Sequence, residues 1–408
     1  MAIADVIVVS ILTVLVPKLV EKHLACFEFT RGLRIMIMLG GILWIMFACT
    51  HDLFYPLLGI ADADAIVFER YWYGTIVHAI QSHDYGLLFR KLITPGRWFY
   101  VTYQSLFYYF TGGTATSILA INSFMAFWGS LTLTRTIYSF SPGSTSRGVV
   151  LPFFLIFTPS VVFWSSANLK EALMYWAICQ VFAIVAPMKS AKQMRGKFIL
   201  FLFGALIGCL LRPHLIFLWM ASVFLIKMFE PKFWKYGFVL LLITPLFIGQ
   251  VRERINFKSF EQNLVSAEQK MNSLISRNKR STFDYGSSGS TMGLSGAKNT
   301  LFRPILWRVK NLRSVMTAVE IWTITIGIIF LWMRMTNAEW KRILRYPSIW
   351  VALLVCVPFF VFFTYFPNEG LLARQRVQVF PALLVLFATP ILQRRELNRE
   401  GAKDAKVN

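Results

Sequence analysis

"FILFLFGALIGCLLRPHLIFLWMASVFLIK", residues 198–227, sets two wholly apolar arms either side of one Arg212-Pro213-His214 step. A helix that crosses the hydrocarbon core of a bilayer needs roughly 20 apolar residues. The arms, taken as 198–211 and 213–228, are each shorter than that, so they read as a shallow hairpin with its tip inside the outer half of a membrane. A guanidinium at such a depth costs about 2.5–3.5 kcal/mol even on insertion scales, and is usually paired or functional. Arg212 therefore has two readings, an ion pair with a carboxylate of the bundle or a ligand contact.

The rest of the chain agrees with a bilayer setting. Its 408 residues include 38 Phe and 13 Trp, with 56% hydrophobic and only 15% charged residues, and a mean hydropathy of +0.56. A soluble domain cannot hydrate such a surface. The formal net charge of +22 would point to nucleic acid in a soluble protein. Here Lys and Arg fall in short blocks between apolar runs, as in cytoplasmic loops, and no nucleic-acid partner is expected. Cys26, Cys49, Cys179, Cys209 and Cys356 lie in or beside apolar stretches without CxxC or His-Cys spacing, which argues against a metal or redox pair. The N-terminus shows no basic n-region or small-residue cleavage site, so 4–17 reads as a retained, slightly short membrane helix.

Lipid accepts only backbones that satisfy their own hydrogen bonds, which makes helix the expected state of every apolar run. Eleven such runs lie near 4–17, 33–50, 115–134, 148–164, 171–188, 198–211, 213–228, 234–250, 314–333, 348–366 and 377–393. The expected fold is all-α: one polytopic integral membrane domain over 1–408, about 11 transmembrane or re-entrant helices, and amphipathic helices on its outer face. The basic blocks "KSAKQMRGK" (189–197), "KMFEPKFWK" (227–235), "RMTNAEWKRILR" (334–345) and the tail from Gln393 are placed in the cytoplasm. That puts the N-terminus outside, together with 51–114, 165–170, 212–214, 251–313 and 367–376. The long loop 251–313 is itself basic, but loops of about 60 residues translocate largely regardless of charge.

Five polar clusters then share the outer face. The loop 51–114 carries "GIADADAIVFERYWYG" (59–74) with Asp62 and Asp64, then "RWFYVTYQSLFYYF" (97–110), whose rings suit a helix lying in the headgroup layer. "FWSSANLKEAL" presents Lys170 and Glu171, the hairpin tip Arg212 and His214, the loop 251–313 Arg303, and "FPNEGLLARQRVQVFP" Asn368, Glu369, Arg374 and Arg376. Each has a plain alternative. Asp62 and Asp64 suit a solvated loop, Asn168 and Glu171 a capping box, and Arg374 and Arg376 snorkelling above a helix. Convergence of all five on one face is harder to explain that way. Arg binds phosphate through a planar fork that stays charged when desolvated. Glycosyl transfer needs a base at the acceptor hydroxyl and positive charge for the departing phosphate. Asp64 or Asp62 suits the base, with Asp64 preferred because it opens "DAIVF". A divalent metal at "DAD" is an open alternative.

The Asp-bearing first outer loop with its Tyr-rich helix resembles that of the GT-C superfamily, polytopic glycosyltransferases that use polyprenyl-linked sugars. "PSVVFWSSANLKEAL", "LLRPHL", "LFRPILWRVKN", "AVEIW" and "NEGLLARQRVQVFPALL" are similar, in order, to segments of GT-C-like proteins of bacterial polysaccharide gene clusters. The resemblance implies a multi-pass protein of the bacterial cytoplasmic membrane with its active site on the periplasmic side. It implies a polyprenyl-phosphate-linked sugar donor, a lipid-linked glycan acceptor and a part in surface polysaccharide synthesis. Asp62 or Asp64 then matches the superfamily's catalytic Asp. Lys170, Arg212, Arg303, Arg374 and Arg376 match recurrent positions without an assigned role. Two other expectations stay open. An O-antigen or exopolysaccharide repeat-unit polymerase would use the arginines without the early Asp. A lipid-linked oligosaccharide flippase should show internal repeats, and none is evident.

Overall fold

The computed structural model describes residues 3–25, 27, 29–50, 73–112, 114–141, 150–167, 169–187, 191–227, 301–302, 312–362 and 374–407. Their order is α1 (Ile3–Leu24), α2 (Arg31–Cys49), α3 (Tyr73–Gln81), α4 (Tyr85–Ile93), α5 (Arg97–Thr111), α6 (Ala115–Tyr138), α7 (Val150–Ile156) and α8 (Pro159–Ser165). There follow α9 (Glu171–Ala183), α10 (Ala191–Leu211), α11 (Pro213–Lys227), α12 (Leu312–Met333), α13 (Asn337–Ile343), α14 (Pro347–Phe362) and α15 (Phe380–Val407). Among the described residues there is no strand, as the all-α reading expects.

The helices are apolar on both sides. On α1, Ile3, Ile7, Ile11 and Val14 point outward, spaced as one helical face, while Leu12, Val16 and Val20 are buried. The outward faces of α10, with Ile199, Phe203 and Leu206, and of α12, with Val319, Ile326 and Phe330, are equally apolar. Soluble monomers rarely expose such continuous apolar surface, and lipid accounts for it. Among the described residues five helices are long and apolar enough to cross a membrane, within α1, α2, α6, α10 and α12, or up to six if the pair α13 and α14, bent by 84°, is one span. The count of about eleven is not confirmed among the described residues, and for α9 and α11 the shortfall is length. At 1.5 Å per residue, α9 with 13 residues and α11 with 15 rise only about 20–22 Å, against a hydrocarbon core of about 30 Å. The segment 234–250 lies outside the described residues.

α6 is the central helix, packed against α1, α2 and α9. Small residues permit the close crossings. A Cβ on Gly129 of α6 would lie 3.1 Å from the Trp176 backbone, and one on Gly204 of α10 would lie 3.0 Å from the Ala177 carbonyl of α9. Polar bonds set the direction of the helices. Asp5, near the start of α1, accepts from the Thr114 N–H and from the Ser117 hydroxyl at the start of α6 (2.9 and 2.5 Å). Near its end, His23 meets Thr132 (3.4 Å), so α1 and α6 run parallel. At the far end the basic segments gather. Arg394 of α15 pairs with Glu339 of α13 (3.1 Å) and donates to the Arg334 carbonyl (2.5 Å), while the Tyr346 ring packs at a tilt against Phe140 beyond α6 (5.6 Å).

The stretch 97–110, expected in the headgroup layer, packs one side against the bundle. It forms α5, but Tyr100, Thr102, Gln104 and Ser105 are buried. The Asn122 amide of α6 donates to the Tyr100 hydroxyl (2.8 Å). With α3 and α4, α5 forms a platform against the bundle rather than a strip lying free on its surface.

Candidate functional site

Three places far apart in the chain meet near the end of the bundle from which α6 and α9 start. Glu171 is the first residue of α9 and is completely buried. Its Oε1 accepts from Arg212 Nη2 and from Arg374 Nε, both at 2.6 Å. Arg212 Nη1 also donates to Gln375 Oε1. Two guanidinium groups thus share one carboxylate oxygen, while Glu171 Oε2 has no hydrogen-bond partner among the described residues. The ion-pair reading of Arg212 is therefore realised, with Glu171 as the carboxylate.

Local sequence explains how each group is delivered. Arg212 sits at the break between α10 and α11, where its N–H bonds the Gly208 carbonyl (2.7 Å) and Pro213 opens α11, the helix position that tolerates a missing N–H. The loop before α5 holds this corner through the Gly96 N–H and Leu210 carbonyl (2.7 Å). Gly96 has φ 98°, a left-handed backbone that glycine adopts without a Cβ clash. Arg374, Gln375 and Arg376 form one helical turn ahead of α15, tied by the Gln378 N–H to Gln375 and the Val379 N–H to Arg376 carbonyls.

The capping-box reading of Asn168 and Glu171 gives way. The N-cap position is Lys170, with no side-chain cap bond, so Glu171 stands at the first helical position, two short of where a box requires it. Its carboxylate serves the arginines instead. Asn168 itself lies outside the described residues.

A second buried carboxylate stands beside the first cluster. Glu320 of α12 accepts from the Ser160 N–H (3.1 Å) and from the Ser160 hydroxyl, capping the start of α8, and Arg376 lies within its electrostatic reach. Gln375 and Glu320 were not among the sequence candidates. An acidic residue inside "AVEIW" is itself a signal, because intramembrane carboxylates are rare and face the bundle interior. Ser160 and Gln375 carry no comparable mark.

Of the expected site residues, Lys170, Glu171, Arg212, Arg374 and Arg376 come together. Lys170 is half-buried at the α9 cap and acts electrostatically on Glu171. His214 is exposed on the first turn of α11. Asp62, Asp64, Arg303, Asn368 and Glu369 lie outside the described residues, so the expected base at Asp64 and the "DAD" metal alternative do too. Among the described residues no three His, Cys, Asp or Glu side chains gather as metal ligands. Among the described residues, Arg374, Arg212 and Lys170 act on Glu171 and Arg376 acts on Glu320. Arg forks held below the surface are suited to phosphate or pyrophosphate oxygens. Comparison with family models, with curated proteins and with solved structures returns no match.

Proposed function

We propose that the chain is a membrane glycosyltransferase that takes a sugar from a polyprenyl-phosphate-linked donor at the outer face of a bacterial cytoplasmic membrane, for surface polysaccharide synthesis. The observation that carries this reading is the buried junction of Glu171, Arg212 and Arg374, with Arg376 in the same helical turn as Arg374. Glu171 holds the two guanidinium forks in place before any ligand arrives, so little ordering is left for binding. Donor phosphate is received at Arg212, Arg374 and Arg376, with Lys170 at the rim. Asp64 deprotonates the hydroxyl of a lipid-linked glycan acceptor while the arginines neutralise the phosphate that leaves.

The topology proposed with it is about eleven transmembrane or re-entrant helices with the N-terminus outside. In its support, the helix starts and ends that bear the arginines gather at one end of the bundle, and the basic segments around 334–345 and 394 gather at the other. A repeat-unit polymerase is the second reading, favoured by the same arginines, since it needs only that pyrophosphate be held.

Asp64→Asn separates the two. In membranes that carry the natural lipid-linked sugars, this variant should leave the donor pool unconsumed, and Asp62→Asn should only slow its use. Normal turnover by Asp64→Asn leaves the polymerase. An unchanged lipid-linked pool on deletion of the whole protein eliminates both.

A further inference from the structure

α4 turns one apolar face away from the rest of the protein. Tyr85, Phe89 and Ile93 are 65%, 64% and 48% exposed, and at four-residue spacing they share one side of the helix. Arg90 is exposed beside them. The other side is taken. Leu88 and Leu92 pack against the core, α4 rests on α3 and α5, and Lys91 lies over the Trp98 ring, 3.2 Å from its centre. The Asp84 carboxylate at the helix start accepts from the Leu87 N–H (2.9 Å), so it is turned to the backbone and not to the row of rings.

The depth of α4 follows from what it is joined to. Three residues after Ile93, the Gly96 N–H bonds the Leu210 carbonyl (2.7 Å), and Leu210 is the last residue but one of the span within α10. Three residues of chain reach about 10 Å at most, so α4 ends beside the edge of the hydrocarbon core. α5 stays at the same end of the bundle. Phe110 on its last turn is 76% exposed, and just past it the Thr114 N–H bonds Asp5 at the start of the α1 span (2.9 Å). Water gains nothing from a row of exposed rings and aliphatics. The headgroup layer is where such a row is stable, with an Arg beside it that snorkels to phosphate.

We propose that α4 docks Tyr85, Phe89 and Ile93 into the headgroup layer of the phospholipid leaflet at this end of the bundle, with Arg90 at lipid phosphate, and thereby moors the Gly96–Leu210 corner that carries Arg212. The occupant is lipid rather than a second copy or a soluble partner, because Ile93 lies within reach of the end of a spanning helix, where the bilayer already fills the space. α5, the stretch expected in this layer, is instead the platform on which α4 rests. The mooring does not depend on the activity proposed for the Glu171 junction.

The test uses the full-length protein in phosphatidylcholine nanodiscs. A bimane label on Phe89→Cys reports what surrounds the face, with the unmodified chain as labelling background. Nitroxide lipids should quench it, those labelled at the headgroup more than those labelled near the chain end, and aqueous iodide should not. Quenching by iodide without quenching by lipid marks a wet face, and shielding from both marks a protein partner; either result overturns the proposal. Hydrogen exchange reads the mooring. The double variant Phe89→Gln/Ile93→Gln, changed only at exposed positions, should speed exchange at the Gly96 amide by about tenfold, as a local opening does, and leave the amides of α9 as protected as in the wild type. Wild-type exchange at Gly96, or faster exchange throughout the bundle with α9 included, also overturns it.

Discussion

Replacing Glu171 by Gln keeps the shape of the side chain and removes the one charge that Arg212 and Arg374 share. Both contacts are 2.6 Å, and the carboxylate side chain is 0% exposed against 9% for each arginine. At an effective dielectric of about 20, a pair at that distance is worth a gross attraction of about 6 kcal/mol. Repulsion between the two guanidinium groups and the desolvation of all three offset much of it. Breaking a buried pair by removing one partner costs about 3–5 kcal/mol, because the charges left behind have no compensation. At about 2.1 cal/mol/K per residue, cooperative unfolding of 408 residues converts that into a loss of about 4–6 °C in melting temperature. Thermal unfolding in detergent, followed by size-exclusion chromatography of heated samples, measures it. The double variant Glu171→Gln/Arg374→Gln should recover part of the loss, since it removes one stranded cation with the carboxylate, and the two changes should couple by more than 1 kcal/mol, on the order of values for residues in direct contact. Wild-type melting of Glu171→Gln, or additive behaviour of the pair, would refute the claim that this carboxylate organises the arginines.

Arg376→Lys should raise the apparent Michaelis constant for donor while turnover changes little, because a point charge cannot replace a bidentate fork; wild-type kinetics would remove Arg376 from the site. Gly204→Val places branched carbon against the Ala177 backbone and the Gln180 Cβ, where a single Cβ already comes within 3.0 and 2.9 Å, and should cost roughly 1–3 kcal/mol by overpacking, read as a lower melting temperature. Cysteines introduced at the exposed positions His214 and Lys341 should differ toward an impermeant outer thiol reagent, the first labelling and the second not. The reverse pattern inverts the proposed orientation.

Apolar runs such as 4–17 or 314–333 state their own conformation and solvent, because backbone satisfaction in lipid is a local demand met within each helix. Basic blocks likewise mark segments such as 334–345, which meet the tail at Arg394. The depth of a helix is less legible. α9 and α11 are as apolar as their neighbours yet too short to span alone. Arg212 announced from sequence that it needed a partner, but nothing local could name Glu171 over the other acidic residues of the chain. Those two are 41 residues apart, and Glu171 and Arg374 are 203 apart. Coulomb attraction carries no address, so only the packing of α9, α10 and the turn before α15 decided which charges meet. The same holds for Gln180, an ordinary polar residue in an apolar helix by sequence. Its amide donates to Thr132 of α6, which in turn meets His23 of α1, a chain that exists only because three helices pack together.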